Sequence, residues 1–200
     1  MGSTVPAATR SCLSSSKLHS NSTISSWVAR FARQLPAGPV LDVACGGGRH
    51  LRHFHALGHP VTGLDRDLGG LADLAGTPGI ELIEADLESA ARWPLGERRF
   101  AGVVVTNYLW RPLLPAIVGA VAPGGWLLYE TFAEGQERLG KPRNPDFLLR
   151  PGELLEAVRG RLTVIAYEHG RRAEPPAVIQ RVAAFAPHSH VVIESAQVLL

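Results

Sequence analysis

Cysteine is scarce in this 200-residue chain: there are two, Cys12 and Cys45, far apart in sequence. That spacing excludes a disulfide framework and fits a reducing compartment, the cytoplasm. No run approaches the roughly 18 apolar residues that a membrane-spanning helix needs, so no membrane partner is expected. A concentrated basic excess is missing too, with a net charge of +2 and a pI near 8.8, which argues against a dedicated nucleic-acid binder. Acidic residues are absent from 1–26, a Ser- and Thr-rich stretch that cannot bury enough surface to fold alone and reads as a flexible tail. It also lacks the apolar region of a secretory signal and the amphipathic basic face of a transit peptide. What is present is 46% hydrophobic content, enough for one core of ordinary size. We expect a single domain over 27–187, followed by a C-terminal extension over 188–200.

Apolar spacing predicts the elements. WVARFARQL (27–35) is a short amphipathic helix stopped by a Pro-Ala-Gly-Pro run. Strands are expected at 39–45, 60–65, 79–86, 99–107 and 124–132, with helices at 49–58, 67–75 (weak), 108–122 (its first turn broken by Pro112 and Pro115) and 151–160. The nearly all-apolar strand at 99–107 belongs at the centre of a sheet. Two last strands, 161–170 and 177–187, are close enough to pair as an antiparallel hairpin. Alternating strands and helices imply a doubly wound, seven-stranded, mostly parallel α/β sheet with that hairpin at its C-terminal end. Ligands in such sheets bind at the carboxyl ends of the strands, and here those ends carry Asp42, Asp65, Asp86, Asn107, Glu130 and Thr131.

The stretch VLDVACGGGRHL (40–51) is a strand breaking into a glycine turn and then a helix. A dinucleotide fingerprint would need a third glycine where Leu51 stands. Asp42, four residues before Gly46, would repel a pyrophosphate. A ligand with a cationic end fits better.

VLDVACGGG resembles the first motif of the Rossmann-like S-adenosylmethionine-dependent methyltransferases, with Asp42, Ala44, Gly46 and Gly48 on its acid-and-small-residue pattern and Ala44 where a glycine is usual. The resemblance extends down the chain at strand ends roughly 20 residues apart. It implies that Asp65 in GLDRD accepts from both ribose hydroxyls beside Arg66, and that Asp86 in EADLE meets the adenine amino group, with Ala85 and Leu87 flanking the ring. It further implies that Asn107 and Tyr108 in VVTNYL stand nearest the transferable methyl group. Cys45 then counts as a small residue that lets the cofactor approach, not as a nucleophile. The segment 131–153 resembles its counterpart in small bacterial methyltransferases related to the tellurite-resistance group.

Other readings of these residues are plain ones. Asp65 and Asp86 are also good helix N-caps. His50, His53, His55 and His59 are read as a solvated helix face, and no metal is expected. Tyr108, His169 and Glu130 are available as general bases, none with a compelling partner. Lys141, Arg143, Asn144 and Asp146 of the 131–153 insertion, with Trp110 and Arg111, are expected to form a partly basic, aromatic lid over a small or anionic acceptor, the alternative being a purely structural Ω-loop. The leading function is methyl transfer from S-adenosylmethionine to a small-molecule acceptor, a soft or oxyanionic nucleophile, by a monomer or homodimer. The alternatives are an RNA or protein methyltransferase, disfavoured by Asn107-Tyr108-Leu109-Trp110 in place of N/D-P-P-[YF], and a non-catalytic cofactor-binding module.

Overall fold

The computed structural model describes residues 23–89 and 93–188. Most of the expected tail and the extension, with Cys12, lie outside the described residues.

Seven strands form one sheet in the order β3-β2-β1-β4-β5-β7-β6. They are β1 (Val40–Val43), β2 (Val61–Asp65), β3 (Ile80–Glu84), β4 (Phe100–Thr106), β5 (Val121–Phe132), β6 (Thr163–Arg172) and β7 (Ala177–Phe185). The first five pair in parallel. β7 pairs antiparallel with both β5 and β6, so the hairpin does not simply extend the edge: its second strand is inserted between β5 and its first. β4 lies at the centre, as its apolar run predicts.

Strand alternation sorts the side chains onto two faces. Leu41, Val43, Val103 and Val105 face the layer that holds Ile117, Leu154 and Val158, carried on α3 (Leu114–Gly119) and α4 (Glu153–Val158). Val40 and Val104 face the opposite layer, with Trp27, Phe31, Leu51 and Phe54, carried on α1 (Ser26–Phe31) and α2 (Arg49–Ala56). Ser25 caps α1 by accepting from the Trp27 N–H, and the buried Trp27 indole donates to the Val182 carbonyl at 3.2 Å. Asp42 shares the register of Val40, so its carboxylate enters the α2 layer, not the solvent.

Two expected helices are smaller than their sequence windows. The segment 67–75 forms a 3-10 helix over Gly69–Leu74, long enough only to bury Leu71 and Leu74. The helix expected at 108–122 is a 3-10 turn, Arg111–Leu113, running into α3. Pro112 and Pro115 each stand in a first turn, where no N–H is needed, and β5 already starts at Val121.

The β4–β5 register shifts between Phe100 and Gly102, and Gly125 sits against that irregularity. A Cβ there would lie 2.7 Å from the Phe100 carbonyl oxygen, 2.9 Å from that of Ala122 and 3.1 Å from that of Ala101. No rotamer change relieves contacts with three backbone oxygens. Gly125→Ala is expected to lower stability by about 2–3 kcal/mol, seen as a lower denaturant midpoint. Gly170→Ala, where nothing lies within 4 Å, should leave the midpoint nearly unchanged.

Candidate active site

β1 ends in a turn whose backbone is left-handed at Ala44 (φ 53), Gly46 (φ 51) and Gly48 (φ 71). Ala44 adopts that conformation at a cost of about 1 kcal/mol, and three bonds hold the turn in place. The Cys45 N–H donates to the Leu64 carbonyl at 2.9 Å, and the Gly48 N–H to the Cys45 carbonyl at 2.9 Å. The Gly46 N–H donates to Asp65 Oδ2 at 2.7 Å, tying the end of β1 to the end of β2. A side chain at Gly48 would be strained by its φ of 71, and its Cβ would push the Leu71 side chain aside, lying 2.6 Å from Cδ2. The Cys45 side chain is buried in the α2 layer, under Gly63. Burial first, and then Asp42 and Asp65, push its thiol well above the usual range, so Cys45 serves packing and contributes only backbone to the turn.

Outside the strand ends lies a cavity of about 310 Å³ lined by Ala44, Asp65, Arg66, Ala85, Asp86, Leu87, Glu88, Tyr108 and Phe147. The expected ribose and adenine residues therefore converge on one space. Asp65 Oδ1 also accepts from the Asp67 N–H at 3.1 Å, and Asp86 Oδ1 from the Glu88 N–H at 3.0 Å. Both acids thus make local Asx-turns, while the 3-10 helix after β2 begins from Leu68 without using Asp65 as its cap.

Asp42 lies beneath the turn, 1% exposed, and its Oδ2 has no hydrogen-bond partner. Burial pushes its carboxyl up to about 8, against the lowering effect of Arg49 and with a further rise from Asp65. His50 Nδ1 stands 3.9 Å from that oxygen, beyond hydrogen-bond range. The His50 ring is 1% exposed, its Nε2 accepts from the Ser25 N–H at 3.3 Å, and burial, Arg49 and His53 bring its pKa down to about 3. This corrects the solvated-face reading: His50 is a neutral core residue. His55 meets the Pro78 carbonyl and His59 that of Gly38. Among the described residues no three His, Cys, Asp or Glu gather where they would hold a metal ion.

A second cavity, about 590 Å³, adjoins the first and shares Glu88, Tyr108 and Phe147 with it. Asn107, in a left-handed conformation (φ 56), and Lys141, Arg143 and Asn144 of the insertion help to line it. The Tyr108 hydroxyl is buried without a partner. Burial, with Glu88, Asp86 and Asp65 nearby, pushes its pKa well above the usual phenol range. Glu88 closes the EADLE stretch and Phe147 falls inside the 131–153 segment, but nothing in their spacing marks either one as lining a site. The other available bases are elsewhere. Glu130 is 3% exposed, accepting from Ser25 Oγ at 3.0 Å and from Arg181 at 3.0 Å, while His169 is exposed on β6.

Arg111 is not a free lid cation. It donates from Nε (2.6 Å) and Nη2 (3.0 Å) to the Glu153 carboxylate, and to the carbonyls of Asp146 and Leu148 at 2.7 Å each. Trp110 packs against the α3–α4 core layer and lines neither cavity; Asp146 likewise lines neither. Two more buried side chains fasten the insertion. Gln136 accepts from the Val178 N–H at 2.9 Å and donates to the Lys141 carbonyl at 3.0 Å. Gln180 donates to the Arg150 carbonyl at 2.7 Å. The segment is a fixed wall, not a loose loop. Burial raises the Glu153 pKa, but Arg111 and the Arg150 N–H outweigh it and hold the carboxyl below the usual range. A lowered folded-state pKa adds stability above the unfolded value that is lost as the pH falls. Arg111→Met is therefore expected to cost about 1–2 kcal/mol at pH 7, below the figure for a fully buried pair because Arg150 remains. The deficit should narrow in acid as Glu153 protonates, which thermal melts across pH would show.

No protein-family model and no curated protein matches the sequence. Solved structures match the fold. TehB from Haemophilus influenzae superposes with a TM-score of 0.64 at 22% identity, covering 82% of this chain, which spans 62% of that protein's length. The Burkholderia thailandensis 1,6-didemethyltoxoflavin-N1-methyltransferase, solved with 1,6-didemethyltoxoflavin and S-adenosylhomocysteine, gives 0.60 at 19% identity over 80% of this chain and 76% of its own. The glycopeptide N-methyltransferase MtfA, complexed with S-adenosylmethionine, gives 0.54 at 23% identity over 80% and 86%. With β7 reversed between β5 and β6, the chain carries the Rossmann-like fold of the S-adenosylmethionine-dependent methyltransferases.

Proposed function

We propose that the protein is an S-adenosylmethionine-dependent methyltransferase acting on a small-molecule acceptor, with residues 27–187 as its catalytic domain. The observation that carries this reading is the pair of adjoining cavities at the carboxyl edge of the sheet. The smaller has the volume of a nucleoside-sized ligand site and presents Asp65 and Asp86 between small or apolar walls at Ala44, Ala85 and Leu87. The orphaned Oδ2 of Asp42 supplies an acceptor beneath the glycine turn that suits a cationic methionyl end. Among the described residues no helix is long and apolar enough to cross a membrane.

Bound S-adenosylmethionine supplies a methyl group already activated by the positive sulfur, so what is asked of the protein is alignment and exclusion of water. Asp65 and Asp86 hold the nucleoside, while Tyr108 stands where the two cavities join and Asn107, its chain neighbour, faces the larger one. Tyr108, its pKa raised, stays protonated and orients by hydrogen bonding without accepting a proton. Glu130 is fully engaged with Ser25 and Arg181 and takes no part. An acceptor that needs no deprotonation, a soft or oxyanionic nucleophile, accords with this set.

Calorimetry with S-adenosylmethionine and S-adenosylhomocysteine is expected to show one site, weakened tenfold or more in Asp65→Ala through loss of both the ribose acceptor and the bond to Gly46. No binding at millimolar concentrations contradicts the reading. Asp42 adds a pH signature. Its folded-state pKa is raised from 3.8 to about 8, so the cofactor-free fold loses stability as the pH climbs through that window. Asp42→Asn should raise the thermal midpoint at pH 8 relative to wild type, with the gain shrinking towards pH 4. A cationic methionyl end favours the carboxylate, so wild-type cofactor affinity should rise from pH 6 to pH 8, and in Asp42→Asn this rise should disappear.

A further inference from the structure

We propose that the larger cavity accepts a flat, mainly apolar organic anion, held at its negative group by Lys141 and Arg143 while the reacting atom points towards Asn107 and Tyr108. The inference rests on the methyltransferase reading and names the acceptor class for it.

Size comes first. A cavity of about 590 Å³ is far larger than an inorganic oxyanion, which occupies about as much space as one or two waters at ~30 Å³ each. Such an ion would be left without walls on most sides. Shape and polarity come next. Phe132, Phe147, Leu109 and Pro142 supply ring-sized apolar surfaces, suited to a planar apolar body.

Charge then places the anionic group. Neighbouring arginines have carboxylate partners: Arg111 and Arg150 share Glu153, and Arg138 lies 3.7 Å from Glu137. Lys141 and Arg143 form no ion pair among the described residues, yet both line the cavity. The one carboxylate in that lining, Glu88, also lines the cofactor cavity and so belongs to the junction between the two spaces. Two unpaired cations and one junction acid leave the insertion side positive. Those cations are carried on a fastened wall, since Gln136 holds the Lys141 carbonyl at 3.0 Å and Asn144 Oδ1 accepts from the Asp146 N–H at 3.0 Å. The backbone that carries the two exposed cations is thereby held at the cavity mouth, while their long side chains stay free to meet an anion.

The test uses two fluorescent probes with the same rings, anionic 8-anilino-1-naphthalenesulfonate and neutral N-phenyl-1-naphthylamine, titrated into the full chain with and without saturating S-adenosylhomocysteine. Wild type is expected to bind the sulfonate at least about tenfold more tightly, in the range for charge-assisted contacts, and millimolar selenite should not displace it. In Lys141→Ala/Arg143→Ala the preference should fall to within about twofold while the neutral probe keeps its affinity. S-Adenosylhomocysteine affinity of the double variant, measured in parallel, reports whether the cofactor pocket stands. Equal affinities for the two probes in wild type, a preference that survives the double substitution, or displacement by micromolar selenite would each overturn the proposal. An anion preference that collapses in the double variant while wild type fails to bind S-adenosylhomocysteine would retain the anion site and remove the methyltransferase reading.

Discussion

The bond from the Gly46 N–H to Asp65 Oδ2, at 2.7 Å, is the constraint on which the site depends. It crosses from the turn after β1 to the end of β2, within a turn whose backbone is left-handed at Ala44, Gly46 and Gly48. A carboxylate fixed in this way keeps acceptor capacity for a ligand and is aimed before any ligand arrives. The same turn brings α2 against β1 and leaves Asp42 buried with one oxygen unsatisfied. An unpartnered acceptor in the core costs stability, and a raised carboxyl pKa is its electrostatic form. Such local cost persists where the surrounding fold over-determines it, which is usual of binding sites.

A second set of constraints builds the other wall. Between β5 and α4 the chain runs through about 20 residues with little regular structure, a length that ordinarily signals a mobile loop. Here Gln136, Gln180 and the Arg111–Glu153 pair, all wholly or partly buried, satisfy its backbone groups. Ala133 and Leu149 are bridged in parallel, bringing the two ends of the insertion together. The outcome is a cavity whose apolar floor comes from the residues just after β4 and the end of β5 and whose cationic rim comes from the insertion, next to a nucleoside-sized space at the carboxyl ends of β1, β2 and β3.

Much of this was legible in the sequence because strand-end positions are set by periodicity. Asp65, Asp86 and Tyr108 each follow an apolar run, and alternation alone puts them at the carboxyl edge of a parallel sheet, where the structure finds them around one cavity. Residues whose role depends on long-range partners were not legible. Arg111 looks like a lid cation until Glu153, 42 residues away, is seen beneath it. His50 looks like one of four surface histidines until Ser25 closes over it. Phe147, common to both cavities, lies in a segment without periodicity. The helix at 108–122 was overestimated because its apolar content continues into β5, and apolar composition does not say where a helix yields to a strand.

The central claim is that the space bounded by Asp65, Asp86 and the glycine turn holds S-adenosylmethionine. A crystal structure grown with S-adenosylhomocysteine tests it most directly. The account predicts the ribose hydroxyls on Asp65, the adenine between Ala85 and Leu87 with its amino group at Asp86, and the sulfur facing the larger cavity beside Asn107 and Tyr108. Ligand density elsewhere on the molecule, or an empty pocket at saturating ligand, would contradict it.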